Sequence, residues 1–427
     1  MKEIHFRFFI VASYLAFSAL LSITVYVGAA KAGHAHSTEH LNKHGGRQCK
    51  AADSSTLSGV QKCAKTMTST FDVDGRLWSA WSNDDFLYVN YSDDKGTTFS
   101  QGVRVNAVSE KIAAGREHRP KIKISGNGVI YLSWTQKLKK RFTGNIRFSK
   151  STDNGKSFSQ PVTVNDNKEI ISHRFDALGV NDRGDVYISW LDKRDKQQAK
   201  REGLKYNGAA AYYAVSTDKG QSFSKNIKLA DNSCECCRMA MDFDTNDLPV
   251  IAWRHIYPEN IRDHSIINFS ARMKPNKPAR LSHDNWQIDG CPHHGPSLSI
   301  DGSNRYHAVW FNNATINHGI FYANSSDAGK IFSPPVQVGR YENKASHADV
   351  LTVKGIVYIL WQEYKDKAYQ LYFMKSDNSG ALWDKPILIT ASSRQPDSPF
   401  LLADKQKVYA SWHIPNKRFK LMPLMGK

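Results

Sequence analysis

Short runs of alternating apolar and small polar residues recur along the chain, and seven of them end in tryptophan. They are Leu77–Trp81, Ile130–Trp134, Val186–Trp190, Val250–Trp253, His307–Trp310, Val357–Trp361 and Val408–Trp412. β-Branched and aromatic residues dominate at a period of two, so each run reads as one strand of a repeated unit.

A second pattern interleaves with the first: Ser, any residue, Asp, any residue, Gly, two residues, then an aromatic. It reads Ser92-Asp-Asp94-Lys-Gly96-Thr-Thr-Phe99, and returns at Ser151 to Phe158, Ser216 to Phe223 and Ser325 to Phe332. A worn copy runs from Ser376 through Asn378 and Gly380 to Trp383. Repetition at about 50 to 65 residues marks a modular array. Asp accepts hydrogen bonds from nearby amides and Gly permits positive φ, so the motif is a hairpin turn with an aromatic plug between units.

This motif is the Asp-box, or BNR repeat, and the chain resembles the sialidase-like β-propellers. The resemblance implies an all-β propeller in which the boxes are structural and do no catalysis, since fold does not fix function. Sialidases have six blades, whereas seven tryptophan strands imply seven four-stranded blades; a six-bladed ring with one stray hairpin is the competing arrangement. With the tryptophan on the second strand and the box between the third and fourth, the boxes lie on one face. The loops entering the innermost strands lie on the other, where a binding site would form around the axis.

Those entry loops carry a register of their own, fourteen to seventeen residues before each tryptophan. They read His118-Arg119-Pro120, His173-Arg174-Phe175, Cys237-Arg238-Met239, His293-His294-Gly295 and Ser346-His347-Ala348. Three consecutive blades thus align Arg119, Arg174 and Arg238, and four align His118, His173, Cys237 and His294. The plain alternative is that these side chains cap strands and pair with loop carboxylates.

The chain has 427 residues and a formal net charge of +18. Residues 1–32 combine a basic start with an apolar run over 8–30, which reads as a signal peptide; retention as a membrane tether is the alternative. Export to the periplasm or the medium follows either way. It argues against nucleic acid as the partner of a basic chain, as does the lack of a nucleic-acid-binding motif. Residues 33–64 form a His-rich linker with a Cys49/Cys63 loop expected to be bridged. Residues 65–427 form the propeller.

Three chemistries fit the axial loops. Thiolate with imidazole suits copper or zinc, with Cys234, Cys236, Cys237, Cys291, His118, His173, His293, His294 and His347 as the candidate ligands. Two disulfides among the four cysteines are the structural alternative. His255, His264, His318 and His413 follow the tryptophan strands and are expected on the same face. The sialidase resemblance implies instead an arginine clamp on a sialylated glycan. Arg119, Arg174 and Arg238 would form it, with Asp176, Asp349, Glu235 and Glu363 as the acid or base candidates; no Tyr/Glu pair maps by motif. The third reading is a non-catalytic module for an anionic glycan or a protein. Metal binding, copper first, accounts best for Cys234 to Cys237.

Overall fold

A computed structural model describes residue 61 and residues 64–424, apart from residues 84, 406 and 416–418. The leader, the His-rich linker and the Cys49/Cys63 pairing lie outside the described residues.

The chain forms seven consecutive antiparallel sheets, each built in sequence order from an innermost first strand outward. The first strands are Met67–Phe71, Lys121–Ile124, His173–Val180, Ala240–Phe243, Ser297–Ile300, Ser346–Val353 and Phe400–Ala403. Each touches the next, and the last touches the first, so the ring closes as a seven-bladed propeller. Six blades have four strands. The seventh has three among the described residues, Phe400–Ala403, Val408–His413 and Phe419–Pro423. Its seam with blade 1 is made by Ala64, whose carbonyl is 2.7 Å from His413 Nε2, and by Phe99 against Phe419.

The seven tryptophans sit on the second strands and are at most 3% exposed. They fill the spaces between sheets, where a large ring buries most surface. The boxes behave as their chemistry requires. Ser92 Oγ donates to Asp94 at 2.8 Å, and the amides of Gly96 and Thr98 donate to Ser92 Oγ and Asp94 at 2.7 and 2.8 Å. The worn copy works with Asn378 in the carboxylate's place. Glycine is needed twice over at Gly155. Its φ is +75°, and a Cβ there would lie 2.6 Å from the Trp78 ring of the preceding blade. The plugs also cross blades: Phe223 packs on Phe148 and Trp383 on Tyr322. Blade 4 carries the small hairpin Phe269–Ala271 and Lys274–Pro275 in place of a box.

Box turns and entry loops leave opposite ends of the strands, so the boxes lie on the face opposite His118 and His294. The mouth face also carries the helix Arg194–Arg201, inserted between the second and third strands of blade 3.

Candidate metal centre

The segment Cys234-Glu-Cys236-Cys237 forms a turn between the strand Ile227–Ser233 and the first strand of blade 4. The chain is drawn tight there. Gly208, at φ +68°, leaves room for the Ser233 carbonyl, and the Cys234 amide donates to Arg254 O at 2.9 Å. The turn aims three sulfurs at one point. Cys234 and Cys236 are 3.8 Å apart, and Cys237 is 4.0 Å from each. All three are buried free thiols, whereas Cys291 is a free thiol that is exposed. The alternative of two disulfides among these four cysteines therefore fails, because all four are free thiols and the triad's sulfurs stay well beyond the roughly 2.05 Å of an S–S bond. The centre of the triangle lies about 2.3 Å from each sulfur, the length of a metal–thiolate bond. Among the described residues this is the one set of three or more potential ligand atoms within metal-binding distance of one another.

The thiols share charge unequally. Hydrogen bonds with Cys236 and Cys237 pull Cys234 well below its usual range against the effect of burial, and Arg254 and Arg262 pull the same way. Its sulfur is 3.4 Å from Arg262 Nη1. Hydrogen bonding to Cys234 and Cys237 pushes Cys236 up, and burial pushes Cys237 up. Cys291 reaches the cluster from the blade 5 loop; its hydrogen bond with Cys236 lowers it.

The histidines do not join the triad as one column. His173 is fully buried with Nδ1 2.9 Å from Gly144 O and Nε2 3.8 Å from Asp192, so it is a core residue. His118 packs edge-on to Phe175, and burial, then Arg174, depress it to about 3. It is neutral at pH 7 with Nδ1 unpartnered. His294 and His347 pack against each other at 4.7 Å, and both are depressed by burial, His294 to about 4. His293 lies near both His118 and His294. His255 packs on Tyr257, His264 beside Trp310, and His318 on Tyr341.

The arginine column also divides. Arg119 Nη2 is 2.8 Å from Asp397, and Arg238 Nη1 is 3.0 Å from Glu117. Arg174 lies over the rings of Phe142 and Phe175. No common anion is clamped by that geometry. The carboxylates proposed for acid–base work are held in structural contacts. Asp176 takes Ser133 Oγ at 2.6 Å and Lys121 Nζ at 3.3 Å, and Asp349 takes Ser297 Oγ at 2.5 Å and the Leu401 amide at 2.7 Å. Glu235 pairs with Lys193 and Lys196, and Glu363 accepts from Trp361 Nε1.

Sequence reasoning passed over Glu117. It is 5% exposed and accepts from the amides of Arg238 and Gly295 at 3.1 and 2.9 Å, fixing both loops that carry cysteines. Burial pushes it up, but Arg238, His294 and these amides hold it below the usual carboxylate range. Its position beside a His-Arg pair was the available signal.

No family model matches the chain, and neither does any curated protein. Solved structures do. A protein of unknown function from Dyadobacter fermentans DSM 18053 aligns over 84% of this chain and 97% of its own, at 14% identity and a TM-score of 0.51. An ulvan lyase of family PL25 aligns over 83% and 91%, at 11% identity and a TM-score of 0.53. A Hadza microbial sialidase aligns over 82% and 73%, at 12% identity and a TM-score of 0.48. At such identities the likeness is one of fold. The architecture is a β-propeller of seven blades with Asp-box turns.

Proposed function

We propose that this propeller binds a transition metal, copper first and zinc second, through the thiolates of Cys234, Cys236 and Cys237. The observation that carries the reading is the near-equilateral triangle of free, buried sulfurs with a bond-length centre. Three thiols brought this close without bonding are costly to bury unless they share a ligand or a charge partner. Cys291, exposed beside Cys236, is the natural entry ligand. His118, neutral and unpartnered at Nδ1, is a further candidate donor of soft-to-borderline character. The reading includes export, by signal peptide or tether, and a metal ion or small anionic ligand as the partner in place of nucleic acid.

Metal analysis of protein purified anoxically from the exported fraction tests it, together with a free-thiol count. One equivalent of copper or zinc should be bound, and lost in Cys236→Ser. Metal-free protein that also takes up neither ion when reconstituted would refute it. A fluorogenic sialoside should not be turned over, since Arg119, Arg174 and Arg238 face different partners. Turnover abolished by Arg119→Ala and indifferent to Cys236→Ser would transfer the site to glycan chemistry.

A further inference from the structure

Blades 2 and 3 bring three segments together on the mouth face: the loop after the strand Ile130–Lys137, the entry to His173–Val180, and the helix Arg194–Arg201. They are tied edge to edge. The Gly144 amide donates to Ile171 O at 2.9 Å, the Lys193 amide donates to Ser172 O at 3.0 Å, and Arg201 pairs with Glu169 at 3.2 Å. Each segment puts one large apolar side chain into solvent. Phe142, Ile170 and Leu204 are 60%, 62% and 63% exposed. Phe142 also stands at φ +62°, a backbone conformation disfavoured for a bulky residue. No core holds it there; the guanidiniums of Arg141 and Arg174 lie over its ring at 4.5 and 5.8 Å. Around the three tips are Lys139, Lys140, Arg141, Lys168, Lys200 and Lys205, all exposed. The acids of the same segments are Glu169, paired with Arg201, Asp195, paired with Lys228 at 3.1 Å, and Glu202, which accepts from Gln198. Apolar tips and a surplus of cations thus share one surface.

We propose that this patch docks the propeller on the surface of an anionic phospholipid bilayer, with Phe142, Ile170 and Leu204 entering between the headgroups. Apolar side chains gain by leaving water for the acyl boundary. Lysines gain from anionic headgroups while their stems lie along the apolar layer. A protein partner fits this surface less well, because the cores of protein interfaces are depleted of lysine. Three tips on three separate loops also make points and no groove, which suits a soft layer that closes around each. The proposal stands apart from the thiolate reading, but it says where the thiols come to lie. Lys193 and Lys196, at the start of the same helix, hold Glu235 at 2.5 and 2.7 Å, between Cys234 and Cys236. The patch is therefore fixed to the cysteine turn, and docking sets the thiol mouth beside the bilayer.

Co-sedimentation with vesicles tests it, on protein purified from the exported fraction. Partition onto equimolar phosphatidylglycerol and phosphatidylcholine is compared with partition onto phosphatidylcholine alone. A retained apolar run over 8–30 would insert in both, so the ratio reads the patch. That ratio should be about a hundredfold for the wild type, the scale of several basic side chains at an anionic surface. Lys139→Gln, Lys140→Gln and Arg141→Gln together should lower it by about tenfold or more. Should that triple variant misfold by circular dichroism, Lys200→Gln with Lys205→Gln reads the same charge. Phe142→Gly keeps the left-handed turn and every charge. Combined with Ile170→Ser, it should lower partition onto the anionic vesicles by about tenfold. Equal partition of the wild type onto the two vesicle types overturns the proposal. So does a ratio that the charge variants leave unchanged. Anionic binding indifferent to Phe142→Gly with Ile170→Ser would overturn it as well, leaving charge alone. Capture by soluble polyglutamate, with no preference among vesicles, would move the patch to an acidic polypeptide.

Discussion

The two faces of the ring use the same residue types to opposite ends. On the box face each Asp is answered within four residues by its own Ser, an amide and often a hydroxyl, and the answer is copied from blade to blade. Around the cysteine loops on the mouth face the contacts do not repeat. Glu117 of blade 2 holds Arg238 of blade 4 and Gly295 of blade 5, while Arg119 holds Asp397 before blade 7. Local satisfaction gives a scaffold that tolerates exposure. Satisfaction across loops leaves charge and sulfur buried and mutually dependent, and such networks are where function concentrates.

The contrast breaks most sharply at the sulfurs. Cys237→Ser should lower metal affinity by more than about 100-fold while leaving the metal-free protein folded, as measured by chelator competition and circular dichroism. A box glycine should do the reverse. Gly155→Ala meets both a left-handed backbone and the Trp78 ring, so it should cost about 2–4 kcal/mol in denaturant unfolding with metal stoichiometry unchanged. Equal metal loss in both variants would mean the faces are not independent. Glu117→Gln strips the charge from a buried pair and should cost about 3 kcal/mol. It should also weaken metal binding through the loops it ties, which Gly155→Ala should not. The smallest effect is acid sensitivity. Asp94 and Asp153 are held at about 2 by hydrogen bonds from the hydroxyls of Thr98 and Ser157 and from nearby amides. A depressed carboxylate contributes stability above the ordinary value of 3.8 and loses it as pH falls toward the folded one. Thermal stability should therefore decline between about pH 4 and pH 2, less steeply in Asp94→Asn.

The blade count was legible because each unit repeats a tryptophan at a fixed strand position, and burial between sheets demands the same residue each time. The thiol cluster was legible because Cys234 to Cys237 and Cys291 stand at equal offsets in neighbouring blades. Direction was harder to read. Counting back from Trp190 places His173 correctly along the chain. A bulge opposite Ser189 and Leu191, with Phe175 at φ +62°, then turns its ring into the core. His347, at φ +54° beside another bulge, is re-aimed likewise. Arg254 and Arg262 were invisible for a different reason. An arginine in a strand or loop ordinarily reaches solvent, and only the fold reveals that these two have sulfur and carbonyl oxygen where water would be.

The seam at Ala64 and His413 carries a consequence for biogenesis. Each blade is a local meander, quick to form, yet blade 1 docks on the last strands to be synthesised. A chain made amino terminus first must wait, open along one side, until blade 7 arrives. Ring closure is thus the longest-range pairing and the natural slow step. A ribosome release delayed near residue 400 would leave a gapped horseshoe with Trp81 and Phe99 bare, fit for chaperones and proteases before it is fit for anything else.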